Sequence, residues 1–392
     1  MAMRAAVALG MAIGFCLPAA AASAGVQDPH EIEIPEITRQ WWALGGHIEA
    51  QPILLDLDQQ SAAYRLRYFS NPDGLAVLTN LQLLLDGSAT KGPLELRARA
   101  VGDLNRSVAP WLGSVTAYEA YVSYRPSTRL SLDAGKRTLK WGKGYAWNPV
   151  AFLDRPKNPD DPALAQEGFW TVSADFIRSG RGALQTVSFT PVLVPVTGRV
   201  NQDLGRPAGV HAAGRLYLLW HDTDIDVIAL AGTEAAPRFG VDLSRNITPA
   251  IEVHAEMARV GDTIDRTLGT DGRPANRPAP ATNLLVGVRF VLPTSTTFIV
   301  EHYHSEAGIP ADAFGRFVED VAGAWARWTA TGDARGLTEL SAFSQPYLRP
   351  TGMRDFPAGL DCRQAGDRFR RAPGRPTLGI QDPMLLLRAT GS

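Results

Sequence analysis

Hydrophobic and polar residues alternate along most of the chain between residues 42 and 348. In the run 115–124, Val122 and Tyr124 fall on one set of alternate positions, whereas Glu119 and Ser123 fall on the other. Because successive side chains of a strand point to opposite faces, each such run predicts a strand with one apolar and one polar face. The pattern predicts an all-β, antiparallel protein of about 12–16 strands.

The connections between these predicted strands alternate in length. Short turns are expected near 125–128, 178–182, 221–224 and 294–296. Long connections are expected at 103–114, 138–168, 194–210, 260–283 and 305–345. Short turns at one end and long loops at the other are typical of bacterial outer-membrane barrels. The pattern therefore predicts an antiparallel transmembrane β-barrel with long extracellular loops.

One of the long connections has a helical pattern. In residues 310–328 the large apolar side chains, including Phe314, Phe317 and Val321, recur at helical spacing. We expect an amphipathic helix within an extracellular loop, either packing on the barrel rim or plugging its lumen.

The chain divides into four segments. Residues 1–24 are expected to be a cleaved signal peptide, with a basic Arg4, an apolar stretch and a small-residue cleavage site at 22–24. Residues 25–41 form an N-terminal segment, and residues 42–348 form the barrel. Residues 349–392 are expected to be an irregular, disordered tail, because the alternation stops near 348.

The end of the sequence also departs from the usual barrel pattern. Outer-membrane barrels usually end in a strand with a terminal aromatic residue, whereas this chain ends in Ser392. We expect a C-terminal end that is truncated or frameshifted relative to a complete barrel.

Composition changes the picture in two ways. The 39 basic and 40 acidic residues give a net charge of -1, which does not suggest nucleic-acid binding. A mean hydropathy of -0.09 resembles that of a soluble protein, but alternation produces the same average when half of each strand faces lipid. The expected partners are outer-membrane lipid, the barrel-insertion machinery and a polar solute. No cofactor is indicated.

One segment carries a recognisable motif. Residues 135–142 read GKRTLKWG, and residues 148–149 are Asn-Pro, followed by a loop rich in Pro and Asp that ends at 168. This G-x-R-x-x-x-W-G…N-P segment resembles porin-like and alginate-export-like outer-membrane β-barrels. The resemblance implies an outer-membrane barrel and does not give its substrate.

The same segment supplies the candidate site. If the loop folds inward, it narrows the pore and places positive charge at the mouth. The expected mouth residues are Lys136, Arg137, Lys140, Trp141, Lys143, Tyr145 and Trp147. The expected wall residues are Asp133, Asp175, Glu252 and Arg289. The predicted function is a channel or export conduit for a polar solute, narrowed or gated by 138–168, with no enzymatic step.

Three alternatives remain open. The barrel could be a structural or surface-anchoring protein with a plugged lumen, or the chain could be a soluble periplasmic β-sandwich that binds a ligand. A barrel hydrolase is a weaker alternative. His254, His302 and His304 are weak candidates for metal ligands, because two of them share a strand face.

Overall fold

We analysed a computed structural model of the chain. It describes residues 7–8, 11–14, 40–56, 58–69, 75–106, 111–156, 166–204, 209–232, 236–268, 274–294, 296–344, 347, 354–364 and 384–390.

The fold is all-β with a few helices, as the alternation predicted. The strands are β1 Val7–Ala8, β2 Met11–Gly14, β3 Trp42–Asp56, β4 Leu75–Lys91, β5 Leu94–Arg106, β6 Leu112–Ser127, β7 Leu130–Arg137, β8 Phe169–Ser179, β9 Leu184–Val196, β10 Gly209–Trp220, β11 Thr223–Gly232, β12 Arg238–Thr248, β13 Ile251–Leu268, β14 Pro274–Val291, β15 Thr296–Ser305, β16 Asp355–Gln364 and β17 Met384–Thr390. The helices are α1 Ala62–Arg67, α2 Ala311–Thr331 and α3 Arg335–Phe343, with a 3-10 turn at Gln202–Leu204.

Thirteen strands, β3 to β15, pair in sequence order, and every one of these pairs is antiparallel. In the described chain, β3 and β15 are not hydrogen-bonded to each other, so the thirteen strands form an open sheet. Strand β16 pairs with β15, β17 runs parallel to β16, and the short β1 and β2 pair with β3.

The two faces of the sheet differ as the alternation predicted. One face carries exposed apolar side chains, among them Leu44, Leu83, Leu96, Val122, Leu193, Met257 and Val286. The other face carries buried polar and charged side chains, among them Glu119, Ser123, Asp133, Asp226, Asp242, Glu256 and Glu301. The outer face is thus apolar, whereas the inner face carries most of the buried polar groups, together with a buried apolar cluster on β9 and β11.

The connections alternate in length. The six connections on one side, from β4–β5 to β14–β15, are short turns, whereas the other side carries 138–168 and the helices. The expected long connection 103–114 is wrong, because β5 continues to Arg106 and β6 begins at Leu112. The expected long connection 260–283 is also wrong, because β13 extends to Leu268 and β14 begins at Pro274.

The sheet is curved, as a contact between the loop after β7 and strand β15 shows. The Tyr145 main-chain N–H donates to Glu301 of β15 over 2.5 Å. In a flat sheet β7 and β15 would be eight strand spacings, or about 38 Å, apart. The eight residues from Arg137 to Tyr145 span at most about 28 Å. The strands therefore wrap around the loop, with their polar face inward.

The helices form a module of their own at the end with long connections. The predicted helix is confirmed as α2, and its Phe314, Phe317 and Val321 are buried. They pack with Leu66 of α1 and Leu337 of α3 in one apolar cluster. The helices pack on each other in this cluster rather than on the strand faces. No helix among the described residues is long and apolar enough to cross a membrane.

Several predictions concern segments that the structure describes only in part. The cleavage site at 22–24, residues 25–39 and most of the 349–392 tail lie outside the described residues. Strands β1 and β2 fall within 1–24, and β16 and β17 fall within 349–392. The signal peptide and the irregular tail stay predictions.

The helical module can be tested by removing its core. Replacing Phe317 with Ala deletes a buried ring and is expected to destabilise the module by about 3–5 kcal/mol. The measurement is the thermal loss of the helical far-ultraviolet circular dichroism signal in detergent. The exposed Glu319→Ala is the control, and equal melting of both variants and wild type would contradict the packing.

Candidate functional site

The loop that follows β7, residues 138–156, is the inner loop. It has no regular secondary structure and lies against the polar face of the sheet. Main-chain N–H groups of such a loop have no ladder partners, and leaving them buried without acceptors would be costly. The site is built around how the protein supplies those acceptors.

Two strand carboxylates accept hydrogen bonds from the centre of the inner loop. Glu256 of β13 accepts from the N–H groups of Lys143 and Gly144 at 2.5 and 2.6 Å. Glu301 of β15 accepts from the N–H groups of Tyr145 and Ala146 at 2.5 and 2.8 Å. Both carboxylates are almost fully buried. Hydrogen bonds to an ionised acceptor are stronger than neutral ones, so these contacts fix the loop to the far wall.

A third carboxylate organises the start of the inner loop. Asp154, near the end of the loop, accepts from the N–H groups of Leu139, Lys140 and Trp141 at 2.8–3.0 Å. Lys140 has a positive φ of 56°, which turns the chain and lets three consecutive N–H groups converge on one side chain. The loop is therefore tied to itself as well as to the wall.

Apolar contacts complete the seat of the inner loop. Trp141, Val150 and Leu153 of the loop belong to one buried cluster with Val194 of β9 and Ile228 of β11. A second cluster joins Ala146 and Trp147 of the loop to Leu285 and Ile299, and the Trp147 ring stacks on Tyr303 at 5.7 Å. The inner loop therefore covers the interior face of β8–β15.

A glycine, Gly287, leaves room for one side-chain contact beneath the inner loop. His254 Nε2 lies 2.9 Å from Glu301 Oε1, across the intervening strand β14. The residue between them is Gly287, and a Cβ there would lie 2.1 Å from His254 Nε2. Glycine is required at this position, because any side chain would displace the imidazole that orients Glu301.

Tyr145 connects the loop to a charged cluster on the wall. Its hydroxyl donates to Glu252 Oε2 over 3.1 Å, and its ring meets His254 edge-on at 5.4 Å. Burial and the nearby negative charge of Glu252 raise the pKa of Tyr145 to about 12, although Arg289 acts in the opposite direction. Tyr145 therefore stays a neutral donor throughout the physiological range.

The predicted mouth residues fall into four groups. Trp141, Lys143, Tyr145 and Trp147 lie on the inner loop against the wall. Arg137 faces the interior and pairs with Asp133. Because side chains alternate along a strand, Lys136 lies on the outward face of β7 with the exposed Leu132. Its ammonium group pairs with Glu167. Lys140 is exposed.

The positive mouth is not a bare cationic patch. Lys143 Nζ lies 2.9 Å from the buried Asp226 and 3.9 Å from Asp242. The cations of the loop and of the end of β7 thus have carboxylate partners, with the exception of Lys140, for which no ion pair is described.

The four predicted wall residues are all held by interior contacts. Asp175 accepts from the Ser188 and Thr190 hydroxyls at 2.6 and 2.8 Å. Glu252 pairs with Arg289 at 2.7 Å. Together with Asp133, these residues line the polar face on both sides of the loop seat.

The three histidines are not brought together. His254 is buried on the interior face, whereas His302 and His304 occupy the positions of β15 that alternate with the inward-facing Glu301. No group of three or more His, Cys, Asp or Glu side chains within the described ranges is arranged to hold a metal ion.

Sequence reasoning did not identify the role of Asp154, Glu256 or Glu301. Glu256 and Glu301 were visible only as acidic residues flanking histidines on strands. The sequence did show that both residues fall on the polar side of a predicted strand. A carboxylate buried there needs a hydrogen-bond donor.

No family model and no curated protein matches the chain. Among solved structures, it is similar to OmpF of Salmonella typhi over 67% of this chain and 78% of that chain, with 10% identity and a TM-score of 0.44. It is also similar to a mutant porin of Rh. blastica over 68% and 85%, with 11% identity and a TM-score of 0.35. The channel DcaP of Acinetobacter baumannii matches over 58% and 67%, with 14% identity and a TM-score of 0.33. At these TM-scores the likenesses carry no argument about function.

Replacing Gly287 with Ala tests the seat of the inner loop. The added methyl group is expected to push His254 off Glu301 and to loosen the loop, so that chymotrypsin cleaves after Tyr145 or Trp147. Gly102→Ala, on β5, meets its neighbours at 3.9 Å or more and is the matched control. Equal resistance of both variants to chymotrypsin would contradict the proposed contact.

The phenol of Tyr145 gives a pH prediction. Its ordinary pKa is about 10, so a released loop ionises before the docked loop does. Docking is therefore unaffected below pH of about 10 and weakens as pH rises towards about 12. The tyrosinate absorbance lost in Tyr145→Phe should titrate with a midpoint near 12, and a midpoint near 10 would show that Tyr145 is not buried by docking.

Proposed function

We propose that this protein is an outer-membrane channel for a polar solute, and that the inner loop narrows its lumen. The observation that carries the proposal is the inner loop, fixed across the polar interior by Glu256 and Glu301. A loop held by defined acceptors inside a polar passage sets its width and charge without any covalent chemistry.

The exposed apolar face supports a membrane location. Its leucine, valine and phenylalanine side chains lie on successive strands, and β3 to β15 contain between 8 and 18 residues each. Strands of about 9–11 residues cross a bilayer when tilted. Exposed apolar surface of this extent is costly in water and favourable in lipid.

The interior supports passage rather than a sealed core. The inner loop covers β8–β15, whereas the polar faces of β4–β7 carry partly exposed charged groups, such as Arg97 and Asp86. A water-filled path next to the inner loop requires polar groups that water can reach, and these partly exposed charges meet that requirement.

Planar-bilayer conductance tests the proposal. Wild-type protein is expected to conduct, and the double variant Glu256→Ala/Glu301→Ala is expected to conduct at least about twofold more, because the loop loses its acceptors. Glu319→Ala, in the helical module, is the control and should behave as wild type.

The same recordings separate the channel from a plugged structural barrel. No current from the wild type and from the double variant, in protein shown to have inserted, would overturn the channel. Current from the double variant alone would identify the inner loop as a plug rather than a constriction.

A further inference from the structure

The interior has an asymmetry that the overall charge conceals. The chain has a net charge of -1, and acidic and basic residues are about equal in number. Within the lumen, however, the acids and the bases differ in how far they are exposed to the passage.

In the ion pairs of the wall the cation is the more exposed partner. The side chain of Arg97 is 40% exposed and that of Asp86 is 23%. Arg137 is 31% exposed, and its partner Asp133 is 5%. Arg289 is 35% exposed, and its partner Glu252 is 11%. The guanidinium groups therefore lie over the carboxylates on the side that faces the lumen.

The interior carboxylates are also occupied by other donors. Glu256 and Glu301 accept from the inner loop, and Asp175 accepts from two hydroxyl groups. Gln82 donates to Asp103 at 2.8 Å, and Tyr217 donates to Asp224. Each of these contacts uses acceptor capacity that a passing cation would need.

The guanidinium groups, in contrast, keep donors to spare. Each carries five N–H donors, and the contacts described above use only some of them. Arg97 lies directly opposite Tyr121 in the register of β5 and β6, and Arg137 of β7 lies over the same ring at 5.2 Å. Arg97 and Arg137 are thus both neighbours of Tyr121, on the part of the wall that the inner loop leaves uncovered.

We propose that the channel prefers anions, and that Arg97 and Arg137 beside Tyr121 form the contact for an oxyanion group, such as a carboxylate, on the passing solute. The proposal rests on the proposed channel function. Guanidinium groups match the planar, bidentate geometry of a carboxylate, and the partly exposed ring of Tyr121 next to them offers an apolar surface to the rest of the solute.

Two measurements test this inference. In a potassium chloride gradient, the reversal potential of the wild type should report preference for chloride over potassium. Liposome swelling should be faster in gluconate than in sorbitol, its neutral analogue. Both preferences should fall at least about twofold in Arg97→Gln/Arg137→Gln.

Controls separate charge from folding. Arg97→Lys keeps the positive charge and should keep the chloride preference while losing part of the gluconate preference, because an ammonium cannot bind a carboxylate bidentately. Arg316→Gln removes an exposed arginine of α2 and should change neither. If Arg137→Gln does not fold because Asp133 loses its partner, Arg97→Gln alone carries the test.

The outcomes distinguish the two proposals. A conducting wild type without chloride preference, or one whose preference survives Arg97→Gln/Arg137→Gln, overturns the anion contact and leaves the channel intact. No current from inserted wild type or from the loop-release variant overturns the channel and the anion contact with it.

Discussion

The rest of the interior depends on the hydrogen bonds that main-chain N–H groups of the inner loop donate to buried carboxylates. Glu256 and Glu301 lie on strands far along the sheet from β7, and they meet the loop only because the sheet wraps around it. Burying a carboxylate without donors is unfavourable, and so is burying an amide without acceptors. Each group here satisfies the other. The wall and the loop are therefore one unit, and neither polar set is stable without its counterpart.

The need to satisfy buried polar groups also explains the two faces of the sheet. Apolar side chains point outward, so the strands need no soluble core, and polar side chains point inward, where water and the inner loop meet them. The described interior acids accept hydrogen bonds from the inner loop and from hydroxyl groups, or pair with arginine guanidinium groups.

Alternation was sufficient to predict the fold class, the strand faces and the short turns on one side of the sheet, but not the lengths of all the connections on the other side. The helical spacing of Phe314, Phe317 and Val321 was sufficient to predict α2. Both patterns are local, and each reports which environment a short segment needs. The alternation along β7 also places the side chains of Arg137 and Lys136 on opposite faces of the sheet, although their shared positive charge led us to predict one role for both.

Contacts between distant segments could not be predicted. Lys143 and Glu256 are 113 residues apart, and Tyr145 and Glu301 are 156 residues apart, so no local pattern connects them. The continuation of β13 to Leu268 was also not predicted from the sequence. The helix α1 is six residues long and too short for a periodic signal.

The helical module has a consequence for the order of assembly. Its helices come from the connection after β3 and the connection after β15, so Tyr64 and Trp325 meet at 6.2 Å although one lies near the start of the strand series and the other beyond its end. Contacts between segments so far apart in the chain form late, because a long loop must close first. The module can form only after all thirteen strands have been synthesised. A chain interrupted within the strand series therefore lacks α2 and α3, with which Leu66 of α1 packs.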